Sequence, residues 1–288
     1  MFGRRPDGRR LDDIDPIISF MPYIMKTRND AMNLITLSVD YEPIAEYIRK
    51  RSKEGAKISF MALIAAAYVR ATAEYPELNR FIANKQVFAR NKILISLAVL
   101  KRGKNKESLD EDLVKMEFTP AMTVDEIALQ MNKQVEEAVN SNNDGGTGDF
   151  AAKLVKHRII LQAVVLLARL LDRYGIMPKF LYDLSPFHCS MFITNMASIG
   201  MPPLYHHLYN FGNTSVFIAM GKAEKQTVST REGFTTKQIL PLCVTTDERI
   251  CGGAAYAQAF KLFKKLLEHP EELEKRPETV KKDFDFDK

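Results

Sequence analysis

Cysteine is scarce in this sequence, with three residues in a chain of 288, at Cys189, Cys243 and Cys251. The number is odd, and no two of these cysteines have the Cys-x-x-Cys spacing of a redox or zinc motif. The pattern argues against a disulfide framework and against a structural zinc site. Isolated cysteines fit a reducing compartment, so we expect a cytoplasmic protein without a metal.

Long apolar runs are also absent. The N-terminus has no apolar segment of the kind that marks a secretory signal. The most apolar window covers residues 159–171, which is too short to span a bilayer, and Arg158 and Arg169 bracket or interrupt it. We predict a buried helix over this window, and we expect no membrane partner.

The excess of positive charge is small and partly local. The chain has 41 basic and 36 acidic residues, and four arginines fall within the first ten positions, at Arg4, Arg5, Arg9 and Arg10. A basic arm of this kind can contact nucleic acid, but no recognition helix or aromatic-basic pattern follows it. We therefore predict a solvated basic arm over residues 1–16 and no nucleic-acid partner.

Strand and helix patterns alternate along the rest of the chain. Residues 33–40 alternate like a strand, Ser59 precedes a largely buried helix, and Thr123 precedes another helix. Three β-branched or aromatic runs follow after Gly175, and residues 254–267 have the spacing of an amphipathic helix. This order predicts the α/β class, as an α+β two-layer sandwich in which a mixed β-sheet packs against helices.

Two internal segments and the C-terminus lack a clear core pattern. Residues 101–118 are highly charged and predict an exposed connection that re-enters the fold at its end. Residues 140–150 are rich in Asn, Gly and Asp, which predicts a loop. The charged residues 273–288 predict a frayed tail, which leaves one domain over residues 17–272.

Four stretches of this domain resemble a known family. They are LSVDYEPIAEYIRK, AEYPELNRFIANKQVFARNKILISLAV, MFITNMASIG and TTDERICGGAAYAQAFKLFKKLLEHPEEL. Together they resemble the catalytic domain of the 2-oxoacid dehydrogenase acyltransferases, which shares its fold with chloramphenicol acetyltransferase. In the last stretch the family writes Asp-His-Arg-x-x-Asp-Gly-Ala. The resemblance runs from about Ile17 to Glu272.

The resemblance implies a reaction and an assembly. The family moves an acyl group between a lipoyl thiol and coenzyme A, with a histidine as the general base and a serine or threonine hydroxyl that stabilises the oxyanion. Its site lies between the subunits of a trimer. For this chain the resemblance therefore implies a homotrimer, coenzyme A as a substrate, and an acyl thioester or lipoyl-type partner.

This sequence departs from the family at the catalytic motif. The family histidine aligns with Glu248 and the family aspartate with Gly252, while Arg249 and Gly253 keep the motif. The hydroxyl position aligns with Thr194, which retains the chemistry and is followed by Asn195. The resemblance thus names Glu248 and Thr194 as the catalytic candidates, with the other four residues in support.

A glutamate is a weaker base than a histidine but not an impossible one. Its pKa of ~4.3, against ~6.5 for histidine, implies a rate about tenfold lower at a Brønsted coefficient near 0.5. Geometry and charge reduce the expected rate more than basicity does. A carboxylate at Glu248 does not occupy the position of an imidazole nitrogen, and its negative charge repels a developing oxyanion. Loss of both the histidine and the aspartate argues against the usual lipoyl acyl transfer.

Each motif residue also has a structural interpretation. Glu248 and Arg249 can form a surface or interface ion pair, and Gly252-Gly253 can serve the turn into the last helix. Thr194-Asn195 can be a strand end with an Asx-type turn. Among the five histidines, the adjacent His206 and His207 point to opposite faces of an extended chain, which disfavours a metal site there. His188 lies six residues before Thr194, and an approach of His188 to the cleft is disfavoured as well.

Three functions remain open from the sequence. The leading one is an acyltransferase homologue with a degenerate or altered site, which binds coenzyme A or an acyl thioester without fast turnover. The second is an active acyltransferase that uses Glu248, or a histidine from elsewhere in the chain, with a different acceptor. The third is a non-catalytic trimeric scaffold or regulatory module.

Overall fold

The computed structural model describes residues 4–102, 109–140, 157–230 and 233–283. The α-helices in these ranges are α1 (Pro16–Ile24), α2 (Tyr41–Lys53), α3 (Phe60–Glu74), α4 (Val124–Asn140), α5 (Arg158–Arg173), α6 (Lys179–Leu184) and α7 (Gly253–Glu268). The strands are β1 (Arg4–Arg5), β2 (Gly8–Arg10), β3 (Met32–Asp40), β4 (Arg80–Ala83), β5 (Gln86–Arg90), β6 (Ile93–Arg102), β7 (Leu109–Phe118), β8 (Met191–Asn195), β9 (Val216–Met220), β10 (Glu224–Thr230) and β11 (Gly233–Asp247).

These strands form two sheets. The smaller sheet has the order β1-β2-β5-β4 and is antiparallel throughout. The larger sheet has the order β10-β11-β9-β8-β6-β7, and β3 also pairs with β11. The β6–β8 and β8–β9 pairs are parallel, and the remaining pairs are antiparallel. The predicted mixed sheet packed against helices is therefore confirmed.

The core is organised around α3, which is buried along nearly its whole length and packs against α4 and α7. Its sequence is apolar on all sides, as expected for a helix enclosed by other elements. The predicted caps are confirmed: Ser59 Oγ accepts a hydrogen bond from the Ala62 amide at 3.1 Å. Thr123 and Glu126 form a capping box, with Thr123 N 2.9 Å from Glu126 Oε2.

The apolar window at residues 159–171 does form a helix, α5, but the prediction that it is buried is wrong. No residue of α5 is buried; Ile159 is 82% exposed and Leu166 is 70% exposed. Its composition predicts a helix that needs an apolar neighbour, but it does not say that the neighbour belongs to the same chain. Among the described helices, none is long and apolar enough to cross a membrane.

The charged segment 101–118 is more regular than predicted. Strands β6 and β7 pair along it without interruption, from Ile93 opposite Phe118 to Arg102 opposite Leu109. The predicted re-entry at the end of the segment is confirmed, since residues 113–118 belong to β7. The prediction of an exposed connection is wrong for residues 101–102 and 109–112, which belong to β6 and β7, because a strand at the edge of a sheet tolerates many charged residues. Residues 103–108 lie outside the described ranges, as does the predicted loop at 140–150 from residue 141 onward.

The N-terminal segment is docked rather than solvated over its described part. Strand β2 pairs with β5, and Arg5 is 7% exposed. The Arg5 guanidinium donates to Asp7 Oδ1 at 2.9 Å and to Asp172 Oδ1 at 2.6 Å. The sequence could not indicate this burial, because Asp172 lies 167 positions further along the chain.

The C-terminal tail is also docked as far as residue 283. Arg80 donates two hydrogen bonds of 2.6 Å to the Asp283 carboxylate, and both side chains are buried. Arg9 donates to the Asp283 carbonyl oxygen at 2.8 Å. The prediction of fraying is therefore wrong up to this residue, and residues 284–288 lie outside the described ranges. The domain boundaries at 17 and 272 stay a prediction.

Candidate functional site

A cleft of about 500 Å³ lies at the end of β8. Thr194 and Asn195, the last two residues of this strand, are half-buried and contribute polar groups to the cleft. Most other lining residues are apolar or aromatic, among them Leu97, Val99, Phe187, Phe192, Ile199 and Phe217. An apolar cleft with a few polar groups at one wall is the usual form of a small-molecule site.

His206 lines the same cleft as Thr194. Its ring stacks on Phe217 with centroids 4.4 Å apart, and Phe217 in turn stacks on Phe192 at 4.9 Å. Phe192 and Thr194 are two positions apart on β8 and so share one face of the sheet. The sequence analysis weighed His206 only as a metal ligand, and nothing in its local pattern indicated that it would lie in this cleft.

Asn195 also ends the strand, as the structural interpretation predicts. Its side-chain oxygen accepts a hydrogen bond from Ser198 N at 3.2 Å, and Ser198 Oγ donates to the Asn195 carbonyl oxygen at 2.7 Å. Because the bond to the side chain spans three residues, Asn195 is the N-cap of the short 3-10 helix Met196–Ile199 rather than the predicted Asx-type turn. These contacts hold the end of β8, and therefore Thr194, in a defined position at the wall of the cleft.

The motif loop that follows β11 is held by a buried ion pair. Arg249 Nε donates to Asp247 Oδ1 and Arg249 Nη2 donates to Asp247 Oδ2, both at 2.7 Å. Asp247 is fully buried and Arg249 is 3% exposed. The Tyr256 hydroxyl donates to the Asp247 carbonyl oxygen at 2.6 Å, which ties the loop to α7. The sequence analysis missed Asp247, although it matches the first aspartate of the family motif.

Glu248 lies between these two residues, but its side chain is exposed. Its backbone N–H donates to the Ala31 carbonyl oxygen at 2.8 Å. The suggested ion pair with Arg249 is wrong, because Arg249 is paired with Asp247 instead. Within the described chain Glu248 does not line the cleft of Thr194, so one subunit does not bring the two catalytic candidates together.

The double glycine starts α7. Gly252 is the N-cap with φ −72° and ψ 158°, and Gly253 is the first helical residue. A Cβ atom at either position would meet no heavy atom within 4 Å among the described residues. Neither backbone nor space requires glycine here, so the suggested role of glycine in the turn has no steric basis. An aspartate at position 252, as in the family motif, fits this site.

His188 is buried away from the cleft. Its Nδ1 lies 2.8 Å from Ser185 Oγ, and its Nε2 lies 3.5 Å from Asp172 Oδ2. Burial lowers the pKa of His188, although Asp172 opposes this shift. Burial also disfavours ionisation of Asp172, but the neighbouring His188 ring and the charge of Arg5 outweigh it and hold the pKa of that carboxyl below its usual range. This cluster fastens the N-terminal hairpin to α5.

Among the described residues, no three His, Cys, Asp or Glu side chains are grouped so that they could hold a metal ion. Cys189, Cys243 and Cys251 are all buried and free of disulfides. Burial raises the pKa of the Cys251 thiol to about 12. A thiol with a raised pKa is a poor nucleophile. None of the three cysteines lines the cleft of Thr194. Its polar lining residues are Thr194, Asn195, Ser198, His206 and Tyr209.

Comparison with known proteins finds one matching family. The sequence model of the 2-oxoacid dehydrogenases acyltransferase (catalytic domain) matches residues 189–274, a range that contains both the end of β8 and the motif loop. No curated protein sequence matches the chain.

Solved structures extend the likeness over most of the chain. A dihydrolipoamide acetyltransferase of Azotobacter vinelandii is 14% identical, with a TM-score of 0.58 over 92% of this chain and 94% of the other. The cubic core of a pyruvate dehydrogenase multienzyme complex is 14% identical, with a TM-score of 0.57 over 92% and 94%. A chloramphenicol acetyltransferase is 15% identical, with a TM-score of 0.54 over 90% and 99%.

At these identities the solved structures establish the fold of the chain, which is that of the dihydrolipoamide acetyltransferase cores and of chloramphenicol acetyltransferase. Within this fold, residues 189–274 are homologous to the catalytic domain of the 2-oxoacid dehydrogenase acyltransferases.

Proposed function

We propose that this protein binds coenzyme A or an acyl thioester in the cleft of Thr194. The observation that carries the proposal is that Thr194 lines a mostly apolar cleft of about 500 Å³. Apolar walls suit a thioester and its acyl chain. The hydroxyl can donate to the thioester carbonyl oxygen, where negative charge develops during acyl transfer.

Turnover by the family mechanism is slow in this proposal. The residue at the base position, Glu248, is exposed and lies outside the cleft of its own subunit. A neighbouring subunit can bring its own Glu248 to Thr194, as the resemblance implies, but a carboxylate there repels the developing oxyanion. The acceptor, in this reading, is a lipoyl-type thiol or another small thiol.

A second candidate function is active acyl transfer with His206 as the base. The observation in its favour is that His206 and Thr194 line one cleft of one subunit. A neutral imidazole near pH 7 takes a thiol proton readily, and Thr194 then stabilises the oxyanion. This mechanism needs neither Glu248 nor the family aspartate.

We also propose a homotrimer. Support comes from apolar side chains that one subunit leaves exposed, among them Ile159 and Leu166 on α5 and Ile17 on α1, at 82%, 70% and 68%. Exposed apolar surface of this kind marks protein interfaces. One matching structure is described as the cubic core of a multienzyme complex. The three free buried cysteines suit the cytoplasm.

Isothermal titration with acetyl-coenzyme A, with thiol release followed on the same sample, tests the function. Heat of binding without release supports thioester binding. Release that is lost in His206→Asn but not in His207→Asn supports the second candidate, since His207 is exposed and lies outside the cleft. Thr194→Val should slow any release, while Thr227→Val, on exposed β10, should not.

Absence of binding heat would contradict both thioester functions and leave the scaffold function. Sedimentation velocity tests the trimer separately. Ile159→Glu with Leu166→Glu should dissociate it, whereas Gln162→Glu on the same helix should not, because only the first two positions are apolar. A wild-type monomer at tens of micromolar would refute the assembly without affecting the ligand test.

A further inference from the structure

A second cleft, of about 430 Å³, lies beside the motif loop and shares no lining residue with the cleft of Thr194. Its lining is strongly cationic. The charged residues that line it are Lys26, Arg28, Lys85, Arg169, Arg173 and Arg249, with Asp172 as the one carboxylate. We call this the cationic cleft. So many positive charges around one cavity repel each other unless something negative balances them.

Two of these charged residues are already balanced inside the protein. Arg249 is paired with Asp247 at 2.7 Å, and Asp172 is paired with Arg5 at 2.6 Å. The remaining five cations form no ion pair with a carboxylate among the described residues. The contacts that some of them do make are with neutral groups: Arg173 Nε donates to Asn84 Oδ1 at 3.1 Å.

Of these five cations only Arg28 is buried, with 7% of its surface exposed. Its guanidinium donates to two backbone carbonyl oxygens, that of Ile82 at 3.1 Å and that of Tyr209 at 3.4 Å. Its Nε atom is buried and has no hydrogen-bond partner. Burial lowers the pKa of Arg28 to about 10, and the nearby Arg249 adds to the effect although Asp247 opposes it.

A buried guanidinium without a carboxylate is costly for a folded protein to maintain. Here the cost falls beside a cavity rather than in a packed core. A bound anion would satisfy Nε and neutralise the charge, while Lys85 and Arg169, both exposed, would reach it from the rim. Thr27, Asn84 and Asn210 add neutral polar groups to the same wall.

We propose that the cationic cleft binds a small phosphorylated compound that carries more than one phosphate charge. A single carboxylate would leave most of the five cations unbalanced. A pyrophosphate or bisphosphate group offers several oxygens to a guanidinium and two or more negative charges to the rim. This site is separate from the thioester cleft, and its existence does not depend on the proposed function.

Isothermal titration of the whole protein with pyrophosphate tests the proposal. Wild type should bind it, and the double variant Lys85→Gln/Arg169→Gln should bind at least about tenfold more weakly, as expected for the loss of charge-assisted contacts. Lys261→Gln is the matched control, since Lys261 is an exposed cation on α7 outside the cleft. Arg28→Gln is a further test, to be used only if circular dichroism shows it folded.

Three results would overturn the proposal. The first is equal affinity for pyrophosphate in wild type and the double variant. The second is an equal loss in the Lys261→Gln control, which would mean non-specific attraction to a basic surface. The third is equal binding of acetate and pyrophosphate.

The source of the phosphate is settled by competition. Saturating pyrophosphate should leave the affinity for acetyl-coenzyme A unchanged, which would keep the two clefts independent. Displacement of one ligand by the other would instead place the phosphates of the thioester substrate in the cationic cleft and refute a separate site. Pyrophosphate binding that persists when acetyl-coenzyme A gives no heat would support this site while the proposed function fails.

Discussion

Arg249 donates two hydrogen bonds of 2.7 Å to the Asp247 carboxylate, and the exposed Glu248 lies between the two residues in the chain. The pair is fully enclosed, and Arg249 Nη1 also donates to the Met25 carbonyl oxygen at 3.1 Å. The motif loop is therefore held in place by its own buried ion pair.

Removal of either partner of this pair should be strongly destabilising. Asp247→Asn or Arg249→Met leaves a buried charge uncompensated, with an expected loss of about 3–5 kcal/mol in the free energy of unfolding. Urea denaturation followed by circular dichroism measures it. Arg276→Met is the control, because Arg276 and Glu126 form an exposed pair and the expected loss is ~0–1 kcal/mol. Similar losses in both pairs would contradict the assignment.

Restoring the family motif should increase activity. The variant Glu248→His/Gly252→Asp replaces a carboxylate with an imidazole and places an aspartate at the N-cap of α7, where space is open and a carboxylate is favoured. We expect thiol release from acetyl-coenzyme A to rise at least about tenfold, from basicity alone. Glu248→Gln is the control. No rise in a folded, assembled double variant would mean that this loop does not form the site.

The His188 cluster should make stability fall in weak acid. The pKa of His188 is lowered in the folded protein, so below about pH 6.5 the unfolded chain takes up a proton that the folded chain does not. Stability is therefore lost as pH falls from 6.5 through the lowered folded pKa. Melting temperatures from pH 8 to pH 5 measure this slope, which should flatten in His188→Gln and remain in the exposed-site control His269→Gln.

At lower pH, protonation of Asp172 should reduce the stability of the fold further. Its pKa lies below the usual value in the folded protein, so its stabilising contribution is present above about pH 3.9 and is lost as pH falls through the folded pKa. In Asp172→Asn this last part of the acid transition should be missing. A variant that unfolds in acid along the wild-type curve would contradict the assignment.

The docked tail should contribute measurably to stability. Asp283→Asn leaves the buried Arg80 guanidinium without its carboxylate, with an expected loss of about 3–5 kcal/mol in the free energy of unfolding. Hydrogen exchange should show that the tail loses protection in the variant. Lys281→Ala, which removes an exposed pair with Glu74, is the control and should have little effect. A frayed tail would give no difference between the two.

Substitution of two glycines with positive φ, Gly55 and Gly212, compares the cost of backbone strain alone with the cost of strain plus steric crowding. Gly55 has φ +89° and open space around it, whereas a Cβ at Gly212, with φ +81°, would lie 2.2 Å from the Phe187 carbonyl oxygen. Gly55→Ala should cost roughly 1–2 kcal/mol in the free energy of unfolding, from the backbone alone. Gly212→Ala should cost more, because the clash is with backbone that must move. Equal losses, measured by urea denaturation, would contradict the crowding argument.

Local patterns predicted the elements well where the causes are local. The caps at Ser59 and Thr123 each depend on contacts within a few residues, and the strand at β3 follows from its alternating sequence pattern. The alignment of the catalytic positions with Glu248 and Thr194 stays a prediction. Burial of Arg5 and of Asp283 was missed, because their partners lie 167 and 203 positions away in the chain.

By itself the sequence determined the fold class and the family resemblance, since these depend on residue identity and short-range spacing. Only the tertiary structure decided that His206 shares a cleft with Thr194, that Asp247 holds Arg249, and that α5 is exposed. It alone also gathered Arg28 and Arg169, from distant segments, around one cavity. Contacts between distant segments arise from the packing of the chain, which the spacing of residues along the sequence does not specify.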